Sequence, residues 1–193
     1  EFTKILSGVW ERFYSQYWEK EVKNSLSKEA ANLNLIISPI NIISAWEKIL
    51  KIDFPYNEFV AFLVEPTTTI ATNLLAEKIV IKSKNDENAI YRILIHEIGR
   101  SFLLNTLILE HEKIKAIVES NLDKFTEIVD GACLFLKRTL NKPLRLREEE
   151  IDPYDSEELK LIVNTFGPIW NSMTEKDIYE ALIQTYNKLS PIS

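Results

Sequence analysis

Between Asp86 and Leu104 the chain carries its strongest helical pattern, and the rest of the fold has to be arranged around it. Projected at about 100° per residue, Ile90, Ile93, Leu94, Ile98, Phe102 and Leu104 spread over a wide arc. A helix that is apolar over so much of its circumference belongs in the interior. Glu97 falls inside this arc, between Ile93 and Ile90, while Arg92, His96, Gly99 and Arg100 share the remaining sector. A carboxylate placed among aliphatic side chains is costly unless it is paired, protonated or solvated in a cleft. The same surroundings suit a general base. Glu97 is therefore anomalous on physical grounds alone.

The flanking sequence changes character on either side. Residues 3–31 read as a long helix with Trp10, Phe13, Tyr14, Tyr17, Trp18 and Val22 at helical spacing. Five aromatics crowd into this stripe, and core packing is its expected role, with a lid or partner-binding face as the alternative. Ser38-Pro39 reads as N-cap and first position of a helix running to about Lys51. Asp53 to Tyr56 is a loop. Glu58 to Val64 reads as a strand closed by Glu65-Pro66, Thr67 to Ala71 as a short strand or loop, and Lys78 to Lys82 as a buried strand. The connections are short, so this small sheet is expected to be antiparallel. From Asp86 or Asn85 as cap, helices follow over 87–104, 107–120 and 121–141, with Pro143 ending the last. Residues 142–155 form a charged loop. Ser156 caps a helix to about Asn171, with an interruption expected at Gly167-Pro168. Thr174 and Asp177 make a capping-box-like start to a helix ending near Leu189. The order predicts one mainly helical α+β domain. It comprises N-terminal helices (1–55), a small sheet (56–83), the His96-Glu97 helix with its followers (84–141), and C-terminal helices (142–193).

Composition narrows the function classes. With 193 residues a single core is well supported. Four glycines and no GxGxxG or GxxxxGK[ST] pattern leave nucleotide binding through such loops without support. The net charge is −6 and the basic residues are scattered, so no nucleic acid partner is expected. No apolar run approaches the ~20 residues that span a bilayer, and no membrane partner is expected. The start, Glu1-Phe2-Thr3-Lys4, is unlike a signal peptide, and a cytoplasmic location is the expectation. Cys133 is the only cysteine, so an internal disulfide or a multi-cysteine zinc site is excluded, and a buried inert thiol is expected. Residue usage rich in Ile, Lys and Glu fits a thermophile or an AT-rich genome.

The segment Leu94-Ile95-His96-Glu97-Ile98-Gly99-Arg100-Ser101-Phe102 resembles the active-site helix of zinc metallopeptidases of the zincin group. In the His-Glu-x-x-His pattern two imidazoles one turn apart reach one zinc, and the glutamate polarises the metal-bound water. A small sheet preceding the helix, with an edge strand that aligns a peptide, also belongs to that group, and strands at 58–64 and 78–82 stand in the corresponding place. The gluzincin branch takes a third ligand from a glutamate on a later helix. The resemblance implies Glu127 for that role, with Glu119 as competitor, His96 as first ligand and Glu97 as general base.

Arg100 stands where the second histidine would be. It stays protonated and offers no lone pair to zinc. The resemblance then implies a degenerate, catalytically impaired peptidase relative in which zinc is weakly held or absent. Arg100 would pair with Glu97 or Glu127, and the cleft would take a peptide or protein. An active enzyme would need a substitute ligand such as His111, brought back by a turn near Asn105-Thr106. A different class is also open: a mainly helical interaction or assembly module with no catalytic site, for which the aromatic stripe is the evidence.

Overall fold

The computed structural model describes residues 2–65, 69–83, 86–104, 109, 111–141, 143–144 and 152–190. Helix α1 (Phe2–Arg12) runs without a break into a π-helical stretch (Phe13–Val22) and then α2 (Lys23–Ile37). Ser38 ends this helix instead of opening the next one. The cap of α3 (Ile42–Leu50) is Asn41, whose side chain accepts the Ser44 N–H at 2.9 Å. Its C-terminus closes on Lys51, the one described non-glycine residue with positive φ. The helix expected over 3–31 continues to Ile37, and it meets α3 at a bend of 48°. Leu33, Ile42, Trp46 and Leu50 along that bend are buried in the fold. No single helix among the described residues is long and apolar enough to cross a membrane.

The sheet has three strands, β1 (Val60–Val64), β2 (Ala71–Leu75) and β3 (Lys78–Lys82), in the order β1-β3-β2. It is mixed, not antiparallel throughout. β2 and β3 form a hairpin around Ala76-Glu77, whereas β1 pairs β3 in parallel, with Val60 against Lys78 and Val64 against Lys82. A parallel pair needs a return path. The chain between β1 and β3 supplies one because it contains β2, so no crossover helix is needed. β2 was not singled out by residue pattern, since Ala71-Thr-Asn-Leu-Leu75 lacks strict alternation. Residues 67–68 of the expected short strand or loop lie outside the described residues.

Helix α4 (Glu87–Leu103) is capped by Asp86, which accepts the Ala89 N–H at 3.3 Å. Every residue from Ile90 to Leu103 except Arg100 is buried. One side of α4 meets the sheet, where Ile79 and Ile81 of β3 pack with Ile90, Ile93 and Leu94 and with Leu33 of α2. The other side meets α3 and α5 (Glu112–Leu140) in the main core around Trp46, Ile95, Phe102, Phe125 and Ile128. α5 contains the division expected at residue 121. Asn121 leaves helical geometry, and its side chain accepts the Lys124 N–H at 3.0 Å, capping the second half.

Helix α6 (Glu157–Ser172) starts at Ser156, whose hydroxyl accepts the Leu159 N–H. It runs through Gly167-Pro168 without interruption. Tertiary packing outweighs the lost hydrogen bond there: a Cβ on Gly167 would lie 2.6 Å from Phe135 of α5, so glycine lets the two helices approach. α7 (Ile178–Leu189) is capped by Asp177 itself, which accepts the N–H groups of Tyr179 and Glu180. Helices α5, α6 and α7 pack against one another and present α4 between themselves and the sheet. The mainly helical α+β class read from the residues holds.

The aromatic stripe corrects the expectation of core packing. Trp10 is 64% exposed, and Phe13 and Tyr14 are 42% exposed. They stack mainly on each other along the helix, Trp10 on Tyr14 and Phe13 on Tyr17. Tyr17 and Trp18 are half-buried, and Val22 is the first side chain of this helix to be buried.

Candidate functional site

The polar sector of α4 is buried beneath other elements. His96 is fully buried, and neither ring nitrogen has a hydrogen-bond partner among the described residues. Tyr154 lies flat against its imidazole, ring centres 3.7 Å apart at 13°. The Tyr154 hydroxyl donates to Glu97 Oε1. Asn73 of β2 donates to the other oxygen, Oε2, at 3.0 Å. Glu97 is thus satisfied from both sides, which answers the cost of a carboxylate in an apolar arc. Ser101 donates to the carbonyl of Ala76, fixing the β2–β3 turn to α4 and setting Asn73 over Glu97.

Arg100 reaches across to α5. Its Nε donates to Asp130 Oδ1 at 2.7 Å, and its Nη1 lies 4.0 Å from Glu97 Oε2. The same Asp130 oxygen is 3.9 Å from His96 Nε2. His96, Arg100 and Asp130 therefore converge on one point. Further along α5, Lys137 is 1% exposed, with Nζ 2.6 Å from Asp152 and 5.3 Å above the Tyr154 ring. Asp152 and Tyr154 come from the segment before α6, so the Lys137–Asp152 pair holds Tyr154 over His96.

Burial sets the protonation states. It lowers the pKa of His96, against the opposing pull of Asp130 and Glu97, so the imidazole is held neutral. Burial likewise lowers Lys137, with Asp152 partly offsetting it. For Arg100, burial is outweighed by Asp130 and Glu97, and the pKa is raised. Burial, with the Glu97 charge beside it, raises Tyr154 and keeps its proton on the hydroxyl. Burial pushes the Cys133 thiol well up, in keeping with an inert thiol.

A pH dependence follows from His96. The unfolded imidazole takes a proton below about pH 6.5, whereas the folded one resists it. The stability from this group is present above the unfolded pKa and is lost as pH falls toward the folded value. Between pH 6.5 and 5.5, stability is expected to fall by up to about 1.4 kcal/mol per unit, the slope for one proton taken up on unfolding. Urea midpoints at several pH values check it. A His96→Asn variant should flatten the slope, and a parent that gains stability on acidification would contradict this account.

Not every residue expected at the site is found there. Glu127 is exposed and its carboxylate bonds Lys124 at 3.0 Å. The buried face of α5 carries Phe125, Ile128, Val129 and Ala132, and Glu127 projects from the opposite side. The carboxylate of this helix that meets Arg100 and approaches His96 is that of Asp130, three residues later. Glu119 is exposed on the first half of α5. His111 stacks on Tyr179 of α7 at 5.0 Å. The turn at Asn105-Thr106 lies outside the described residues. Arg100 pairs mainly with Asp130, a partner the residue pattern did not single out. Helical projection of α5 would have found it, because Asp130, Cys133 and Lys137 follow one side of that helix. Tyr154 and Asn73 had no local signal.

A zinc ion needs about three protein donors close to 2 Å. His96 and Asp130 are two donors, and the guanidinium of Arg100 stands at the third position with a charge but no lone pair. Among the described residues no three His, Cys, Asp or Glu side chains are grouped to hold a metal. Arg100, paired with Asp130 and near Glu97, makes this a guanidinium-centred ion pair beside His96. Beside them opens a cleft of about 260 Å³ lined by Asn73, Leu74, Ala76, Arg100, Ser101 and Leu104. The chain matches no family model, no curated protein and no solved structure.

Proposed function

We propose that this chain is a metal-free relative of the gluzincin-type zincins, in which Arg100 replaces the catalytic cation and the cleft binds a peptide or protein segment without cleaving it. One observation carries the reading: His96 and Arg100, one helical turn apart, converge on a single Asp130 oxygen from a later helix. That arrangement has the form of a three-ligand site with one ligand exchanged for a cation. Glu97 follows His96 at the position of the general base, and β2 borders the cleft as an antiparallel edge strand. An edge strand offers unpaired backbone N–H and C=O groups to an extended peptide. Asn73 on that strand ties its position to Glu97.

Without a metal, Glu97 has no activated water to deprotonate, and its oxygens are engaged by Asn73 and Tyr154. Binding is left as the function, with Arg100 at the wall of the cleft. Elemental analysis of protein purified without chelator should find no zinc in the parent. Arg100→His should bind about one zinc per chain, through His96, the new imidazole and Asp130. Zinc at one per chain in the parent, or none in Arg100→His, would sink the reading.

A further inference from the structure

We propose that the cavity walled by α2, the sheet and α4 is a binding site for a small, neutral, largely apolar molecule with one hydrogen-bonding group. This stands independently of the reading of the His96 site. The cavity measures about 220 Å³. Helix α4 contributes Ile90, Leu94 and Ile98, one stripe at four-residue spacing. The sheet contributes Ala61 and Leu63, two residues apart on β1 and so on one face, beside Ile81 of β3, which pairs with Leu63. Helix α2 contributes Ala30, Leu33, Asn34 and Ile37, the spacing of a single helix face. Ile42 of α3 completes the wall.

The sequence leaves this space open from both sides. Ala30 and Asn34 stand on the inner face of α2 where larger aliphatic side chains would fill it, and Ala61 stands on the strand. Leu33 is the buried residue of α2 that joins Ile81, Ile90 and Leu94, with Ile37 only partly buried beside them. Left empty, an aliphatic space of this size would cost a domain a large share of its net stability. Water is a poor filler. A buried water needs about two to four polar partners, and Asn34 is the only polar side chain in the lining.

The walls define the class of ligand. Leu33, Ile42, Ile81, Ile90, Leu94 and Ile98 are buried and form the floor. Asn34 and Ala61 are exposed and mark the mouth. The Asn34 side-chain amide makes no hydrogen bond among the described residues, so it is free to meet a polar end of the ligand there. No charged side chain lines the cavity, and an ionised group drawn into it would lose its hydration without a counter-charge. Benzene fills an apolar cavity of about 150 Å³, and scaling from it gives a ligand of about eight or nine carbons.

The test titrates the full chain with 1-octanol and follows its methyl NMR signals. Shifts should centre on Leu33, Ile81, Ile90 and Leu94 and saturate with a dissociation constant below about 1 mM, a modest affinity for a molecule of this size. Octanoate at neutral pH should bind at least about tenfold more weakly, since its charge has no partner. Ala30→Leu should weaken octanol binding at least about tenfold and raise the thermal midpoint by filling the space. Ala61→Val fills it from the sheet side and keeps the test if Ala30→Leu does not fold. Asn34→Ala should weaken octanol several-fold and leave toluene, which has no polar end, unaffected. No saturable binding of octanol up to about 2 mM would overturn the proposal. So would octanol binding that both filling variants leave unchanged, and octanoate bound as tightly as octanol would overturn the neutral class of ligand.

Discussion

Replacing Gly99 with alanine is expected to lower the stability of the fold by about 3 kcal/mol, the upper range for overpacking a well-filled core. A Cβ there would lie 2.3 Å from Cζ2 of Trp46 and 2.6 Å from two more atoms of the indole. The indole cannot step aside cheaply. It is fully buried, and its Nε1 donates to the Ile95 carbonyl at 2.9 Å, on the same helix as Gly99. Moving it would break that bond or push α3 away from α4. Urea unfolding should show a lower midpoint with an unchanged slope. The smaller ring of Trp46→Phe should recover part of the loss in the Gly99→Ala background, so the two changes should be far from additive. A Gly99→Ala protein as stable as the parent would mean that α3 and α4 do not meet in this way.

Replacing Arg100 with methionine is the second large effect. It leaves the Asp130 carboxylate, 26% exposed, without its cation. Breaking a fully buried ion pair costs about 3–5 kcal/mol, and the partial exposure here reduces the expectation to about 2 kcal/mol at neutral pH. Asp130→Asn in the same chain should restore most of it, because the uncompensated charge is then removed. The double variant separates loss of charge balance from loss of packing by the arginine stem. If Arg100→Met alone is neutral, the guanidinium is not what holds α4 to α5 at this point, and the comparison with a metal centre loses its physical basis.

Much of the fold was legible in the residues because the signals are local. Asp86 and Ser156 cap helices where their side chains can meet free N–H groups a few residues on, whereas the last helix begins at Asp177 itself and not at Thr174. Lys78 to Lys82 forms the strand its pattern predicted. The division of α5 at Asn121 also follows from one side chain and a backbone N–H three residues away. Ser38-Pro39 misled because a good cap sequence can equally close the preceding helix. The parallel pairing of β1 was hidden because pairing direction depends on where the chain returns, and local alternation carries no record of that.

The site divides in the same manner. Glu97 in the apolar arc of α4, followed by Arg100 where an imidazole would complete a metal site, could be read from spacing on one helix. That reading required only the helical period and the chemistry of the side chains. Tertiary structure alone decided which groups meet them: Asp130 instead of Glu127, Tyr154 across the imidazole, Asn73 on the carboxylate and Lys137 with Asp152. Those partners lie tens of residues away, and one turn of α5 decides which carboxylate faces inward. The exposure of the Trp10 stripe is the same lesson in reverse. Its period declares a helix and an apolar face, but only the packing of the whole chain shows that no other described element covers it.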